Sequence, residues 1–283
     1  MNVTPRSLGH LLAPLVLAAL AVPATSCQDR DVGLSIRQVQ PFLLEECDYS
    51  KDQQLFRSAG TVDLALANNY RIFALVTNNL LDVTQVKRFN SGDSRIDTND
   101  IVLRSAIVEY TTLSSLPAQI QEKRRVPISG TVTVGGDLIL GIEVLDPLTM
   151  AQLRDSDAFV TLDDASGRIL PNRTSVQIIA RIRMKGETLD GKTVESNEFL
   201  FPIEICSGCL ISYPPALLQQ RNGVLTCPQQ LVDDTGTPIA VDNTPITCPA
   251  ALGRDAGSVD CQTCQGIAVD PFFRQLCQPN VGF

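Results

Sequence analysis

Apolar positions along the chain change their spacing from one region to the next. Residues 11–22, "LLAPLVLAALAV", are almost unbroken in apolar character; residues 59–206 alternate apolar and polar positions between clusters of turn residues; beyond residue 206 only short apolar runs remain. A period of two puts successive side chains on opposite faces of a strand, and so predicts sheets with one dry and one wet face. The pattern is cleanest in "SVQIIARIRMKGETLDGKTVESNEFLFPIEIC", where Val176, Ile178, Ala180, Ile182 and Met184 share one face while Gln177, Arg181, Arg183 and Lys185 share the other. A turn at Asp190-Gly191 reverses the chain, and Phe199, Phe201, Ile203 and Ile205 then alternate in the same way.

Upstream, "TVDLALANNYRIFALVTNNLL" supplies one or two strands, the loop "FNSGDSRIDTND" follows, and "IVLRSAIVEYTTL" is rich in β-branched residues that suit a strand. "RVPISGTVTVGGDLILGIEVLDP" reads as a hairpin, because Gly135-Gly136 supplies the positive φ angles of a tight turn. After Pro147, "LTMAQLRD" predicts one or two helical turns. Seven or eight strands without a comparable helical period predict an all-β domain over residues 59–206, a two-sheet sandwich of immunoglobulin-like or fibronectin-like architecture. The buried Trp of antibody domains is missing, and no cysteine pair sits on two core strands. Residues 27–58, with the single apolar patch "QVQPFLLEEC" broken by Pro41, read as an exposed lead-in linker.

The apolar run at residues 11–22 is twelve residues long, carries Pro14, and follows a short segment charged only at Arg6 and, when protonated, His10. It is too short to span about 30 Å of hydrocarbon and has the layout of a secretory signal. Ala24-Thr25-Ser26-Cys27 resembles a bacterial lipobox, in which small residues precede a cysteine that is acylated and becomes the new N-terminus; Ala24 stands where Leu is usual. The expectation is a signal peptide over residues 1–26 and lipid attachment at Cys27, which anchors the chain to a membrane without a spanning helix. An ordinary cut leaving a plain thiol is the alternative. Gln28 stands where an Asp favours inner-membrane retention in lipoprotein sorting, so the expected location is the bacterial outer membrane.

Loss of residues 1–26 removes His10, the sole histidine, and Arg6, so the formal charge moves from −8 to −9 and the remaining 257 residues hold neither His nor Trp. Ser-His-Asp and Cys-His catalysis are excluded on inventory, as is any zinc site that needs imidazole. An acidic chain with few aromatic residues is a poor match to nucleic acid. No cofactor is expected.

Seven of the nine cysteines lie at or after Cys206, in sequence dense in Pro, Gly and Asp. Residues 207–283 bury too little apolar surface to order themselves and read as a loop-rich, disulfide-stapled tail packed on the sandwich. "PIEICSGC" followed by "CPAALGRDAGSVDCQTC" resembles the tail of uncharacterised predicted lipoproteins of myxobacteria, where a strand ends in C-x-x-C and a later Cys-Pro run reaches Gly-x-Asp before another cysteine. The resemblance implies a compartment and no mechanism.

Three constellations bear on chemistry. Cys206/Cys209 and Cys261/Cys264 have C-x-x-C spacing, which serves redox chemistry when a helix N-terminus lowers the first thiol's pKa; neither pair clearly opens a helix in the sequence, and structural bridges are the expectation. The 51 residues between Cys209 and Cys261 exceed the separation of a four-cysteine zinc ribbon. Asp93, Asp97, Asn99 and Asp100 offer oxygen ligands of the kind calcium accepts, but depart from the EF-hand pattern and read first as a solvated loop. The neighbouring pairs Asp163/Asp164 and Asp233/Asp234 fit turn chemistry better than paired catalytic carboxylates. The function expected is that of a non-enzymatic, lipid-anchored envelope module binding an envelope protein or glycan; a thiol-disulfide oxidoreductase and a calcium-dependent binder are the alternatives.

With Cys27 acylated, Cys47, Cys206, Cys209, Cys227, Cys248, Cys261, Cys264 and Cys277 remain, an even set of which seven lie in the tail. Full oxidation therefore requires one tail cysteine to bridge to Cys47. That bridge closes at least 160 residues, counted from Cys47 to Cys206, for a chain-entropy contribution of about 5 kcal/mol. It is expected to join the anchored end and the stapled tail into one rigid base.

Overall fold

The computed structural model describes residues 33–43, 46–81, 98–112, 123–163, 167–221, 223–229, 235, 237, 248, 252–255 and 257–279. In chain order they form β1 (Leu34–Gln40), the short ladder β2 (Phe42–Leu43) and β3 (Asp48–Tyr49), β4 (Gly60–Asp63), β5 (Tyr70–Asn78), β6 (Ile101–Thr112), β7 (Lys123–Val132), β8 (Asp137–Leu145) and α1 (Pro147–Arg154). The hairpin β9 (Val160–Asp163) and β10 (Arg168–Pro171) follows, then β11 (Ser175–Thr188), β12 (Thr193–Glu195) and β13 (Phe199–Cys206). The tail adds β14 (Ile211–Ser212), β15 (Gln219–Arg221), β16 (Val224–Thr226), β17 (Val259–Asp260) and α2 (Cys261–Ile267). The fold is all-β.

One sheet runs β1-β5-β8; a second, six-stranded sheet runs β4-β13-β11-β6-β7 with β12 beside β11. In the larger sheet β4 is parallel to β13 and the other pairings are antiparallel. Both sheets contribute to one buried cluster: Ile178, Ala180, Ile182 and Met184 from β11 and Phe201, Ile203 and Ile205 from β13 join Ile72, Ala74 and Val76 from β5 and Ile142 and Val144 from β8. Burying each Val, Ile, Met or Phe side chain of this cluster contributes about 1.5–3 kcal/mol. The opposite face of β11 is wet, with Arg181 paired to Glu198 at 2.8 Å and Arg183 to Glu109 at 2.9 Å. The face assignment read from the alternation of β11 matches the structure position by position.

The segment expected to be an exposed lead-in supplies β1. Leu34, Ile36 and Val39 are buried at 0%, 3% and 2% exposure, and β1 pairs along β5 from Leu34↔Asn78 to Gln40↔Phe73. The sequence pattern hid this strand because the register shifts between Ile36 and Gln38. A bulge residue moves the inward side from even to odd numbers, so no single period of two runs through the strand.

The Gly135-Gly136 turn exists, with Gly135 at φ 65°, but it joins two sheets rather than a hairpin. β7 pairs with β6 and β8 with β5. Both strands show the same alternation whichever partner they take, so the pattern predicts strand and turn but not the partner. Asn78, fully enclosed, closes this corner: its side chain donates to the carbonyls of Val132 at 3.0 Å and Asn99 at 2.9 Å.

The expected bridge from Cys47 into the tail is present, to Cys248, while Cys27, the anchor of the expected base, lies outside the described residues. Leu34 lies beside Ser196, whose N–H donates to Met184, whereas Cys206 pairs with Ser175 at the other end of β11. The nine-residue step from Ser175 to Met184 spans about 30 Å of strand. The tail builds its own small core at the Cys206 end, where Ile211, Val259, Phe273 and Leu276 gather with Ala65 and Leu66 around Cys227, Cys261, Cys264 and Cys277.

Candidate functional site: the disulfide loop that ends the last core strand

β13 leaves the sheet at Cys206, and its parallel neighbour β4 sets Asp63 opposite that residue. Asp63 is fully enclosed; one carboxylate oxygen accepts the N–H groups of Ala65 and Gly208 and the other that of Leu210, each at 2.9 Å. The turn between Cys206 and Cys209 needs Gly208 at φ 78°, a conformation costly for a residue with Cβ. Backbone bonds from Leu64 N–H to the Cys206 carbonyl at 2.8 Å, Ser207 N–H to Thr174 at 3.0 Å and Val259 N–H to Leu210 at 2.9 Å complete the loop's attachment.

A disulfide between Cys206 and Cys209 closes this turn, with Cα atoms 5.9 Å apart. The two sulfurs and a carboxylate oxygen of Asp63 lie within 4.8 Å of one another. Bonded to each other, the sulfurs offer no thiolate to a metal ion while the bridge is closed. Cys206 is completely buried and Cys209 exposed. The hydroxyl of Ser207, also enclosed, has no partner among the described residues. Burial raises the Asp63 carboxyl above its ordinary pKa, against the opposing pull of its three N–H donors and of Arg173.

Two further groups lock the tail onto this junction. Arg173, just before β11, lies over the Tyr213 ring at 4.9 Å and donates to the carbonyls of Leu276 at 2.8 Å and Gln278 at 3.0 Å; the Tyr213 hydroxyl also donates to Leu276. On the other side of β4, Asp63 N–H donates to Gly253 at 2.8 Å and Asp255 N–H to Thr61 at 2.6 Å. The Asp255 carboxylate accepts from the Tyr70 hydroxyl at 2.9 Å and pairs with Arg57 at 3.2 Å. Burial raises the pKa of Asp255 as well, with Arg57 opposing it most strongly. The Gly-x-Asp motif at residues 253–255 is thus a clamp over the edge of β4. Gly253 is obligatory there, since a Cβ would lie 2.3 Å from that of Leu66.

Disulfides join Cys47 to Cys248, Cys206 to Cys209, Cys227 to Cys261 and Cys264 to Cys277. The second C-x-x-C does open a helix, α2, with Asp260 as N-cap accepting from Thr263 N–H at 2.8 Å. Its two cysteines nevertheless bond outward to different partners. Short stretches like "DCQTCQGI" carry too few residues for a helical period to register. Cys27, Asp93, Asp97, Asp164, Asp233 and Asp234 lie outside the described residues. Asn99 and Asp100 serve loop structure: Asn99 donates to the Leu81 carbonyl at 2.7 Å and Asp100 accepts from Val134 N–H at 3.0 Å. Asp163 ends β9, its carbonyl accepting from Gly167 at 2.7 Å. Asp63, Arg173 and Tyr213 are absent from the residues singled out in the sequence, and Asp255 entered there only as part of the Gly-x-Asp motif. Asp63 had a visible signal, a lone acid inside the apolar run "TVDLAL".

No protein-family model and no curated protein matches the chain. Among solved structures it is similar to the solution structure of a late embryogenesis abundant (LEA) protein, at 9% identity and a TM-score of 0.30 over 62% of this chain and 71% of that one. That likeness is too slight to carry an argument about fold or function.

Proposed function

We propose that this is a lipid-anchored protein of the bacterial outer membrane whose β-sheets serve as a non-catalytic interaction or structural module for an envelope protein or glycan. The observation that carries the reading is the apolar run at residues 11–22 ending in Ala24-Thr25-Ser26-Cys27. Four disulfides among the remaining eight cysteines support it, because such bridges persist in oxidising, exported compartments. The likeness of "PIEICSGC" and the Gly-x-Asp tail to myxobacterial lipoproteins supports the same compartment. Among the described residues no helix is long and apolar enough to cross a membrane, so an anchor in this reading rests on the acylated Cys27.

Replacement Cys27→Ala is expected to move the protein from the detergent to the aqueous phase in a Triton X-114 partition; persistence in the detergent phase overturns the anchor. Crosslinking in intact cells followed by pull-down identifies the partner. Recovery of the protein with no crosslinked protein or glycan, at a crosslinker dose that captures a known envelope complex, overturns the interaction role.

A further inference from the structure

We propose that the Cys206–Cys209 disulfide is a thiol-exchange site, opened by an incoming thiolate at Cys209 while the rest of the fold stays intact. The sequence separations of the four bridges are 201, 3, 34 and 13, and this is the bridge of 3. A cross-link over so short a loop removes the least entropy from the unfolded chain, so the fold depends on it least. Its loop is instead held by the Asp63 carboxylate through Gly208 and Leu210 and by the backbone bonds of Cys206, Ser207 and Leu210, none of which involves sulfur. A bridge that adds so little to a loop already fixed is suited to being opened and closed.

The two residues also differ in access: Cys209 is exposed and Cys206 sealed, which favours approach of an external thiolate from the Cys209 side. Its sulfur attacks Cys209 Sγ; the Cys206–Cys209 bond breaks, Cys206 Sγ leaves with the electron pair, and a mixed disulfide joins Cys209 to the incoming group. Cys206 then takes a proton. A second thiol resolves the mixed disulfide, so that two thiols are oxidised to one disulfide while this bridge is reduced to two thiols. Cys47 is the other exposed residue of a bridge, but that bridge spans 201 positions and joins two distant segments. Cys227, Cys261, Cys264 and Cys277 are wholly enclosed.

The test incubates the native protein with reduced glutathione in one arm and reduced thioredoxin in another, followed by acid quench, alkylation with N-ethylmaleimide and non-reducing peptide mapping. Label is expected on Cys206 and Cys209 at least tenfold faster than on the four enclosed tail cysteines, with an unchanged circular dichroism spectrum. The faster arm identifies a small thiol or a protein dithiol as the source. In a further arm with oxidised glutathione, the Cys209 thiolate of Cys206→Ser attacks the glutathione disulfide and keeps one glutathione while releasing the other as thiol, and Cys209→Ser leaves Cys206 unmodified. Label on all tail cysteines together, label only after loss of the folded spectrum, or capture at Cys206 overturns the proposal. The wild-type order of labelling decides it even if a variant does not fold.

Discussion

Three backbone N–H groups converge on the one enclosed carboxylate of Asp63, and removal of that carboxylate strands all three. An unsatisfied buried donor costs about 1–3 kcal/mol, so Asp63→Ala is expected to lower stability by at least about 3 kcal/mol in urea unfolding. Asp63 also carries a pH signature. Its folded pKa is raised by burial, so the folded protein holds the proton more tightly than the unfolded chain. The stability this contributes is complete below the unfolded pKa of about 3.9 and is lost as pH rises through the folded value. Wild type measured against Asp63→Asn should therefore lose relative stability as pH rises above about 4. A relative gain over that range would show that the three N–H bonds outweigh burial. Ser207→Ala has the opposite sense, since it deletes a buried hydroxyl without a partner. Unfolding should show it neutral or more stable by about 1 kcal/mol.

Among elements, β1 distinguishes a strand of the core from a linker. Leu34 is fully buried at the head of the strand, whereas Arg37 is exposed at the bulge and pairs with Asp137 only at 3.8 Å. Leu34→Ala should cost about 2–5 kcal/mol, and Arg37→Ala should stay within about 0.5 kcal/mol. Equal, small effects on the thermal midpoint would return residues 34–40 to the status of a tether. Among the described residues β7 ends the larger sheet, and it carries Lys123, Arg124, Arg125 and Pro127, the devices that keep a strand edge from joining a second chain.

For the whole molecule the four bridges rank by the loops they close. Cys47–Cys248, at a separation of 201, ties the exit of β1 to the tail and should contribute about 5 kcal/mol, against about 2 kcal/mol for Cys206–Cys209 at a separation of 3. Paired Cys→Ser variants, compared by urea unfolding, test that ranking; a larger loss from the Cys206/Cys209 pair would show that native geometry outweighs chain entropy. The tail is more than a set of staples. Its residues 253–255 cover the edge of β4, and Arg173 holds its last turn, Phe273–Cys277, through the Leu276 and Gln278 carbonyls.

What the sequence by itself determined is the class and the faces: the alternation from Ser175 to Cys206 states which side chains are dry, because a strand's side chains alternate whatever it pairs with. With Cys27 acylated and the other cysteines oxidised, parity likewise requires a bridge from Cys47 into the tail, since seven cannot pair among themselves. Partner choice was left to the tertiary structure. It sent β7 and β8 to different sheets across Gly135-Gly136, selected Cys248 for Cys47, and split Cys261 and Cys264 between Cys227 and Cys277. It also brought Asp63 from β4 under a loop more than 140 residues further along the chain, with separations of 145 and 147 to Gly208 and Leu210. Such contacts join positions far apart along the chain, and local periodicity carries information only about neighbours within a turn or a pleat. The pairing is decided when the competing strand edges and carboxylates find the partners that leave the fewest buried polar groups unsatisfied.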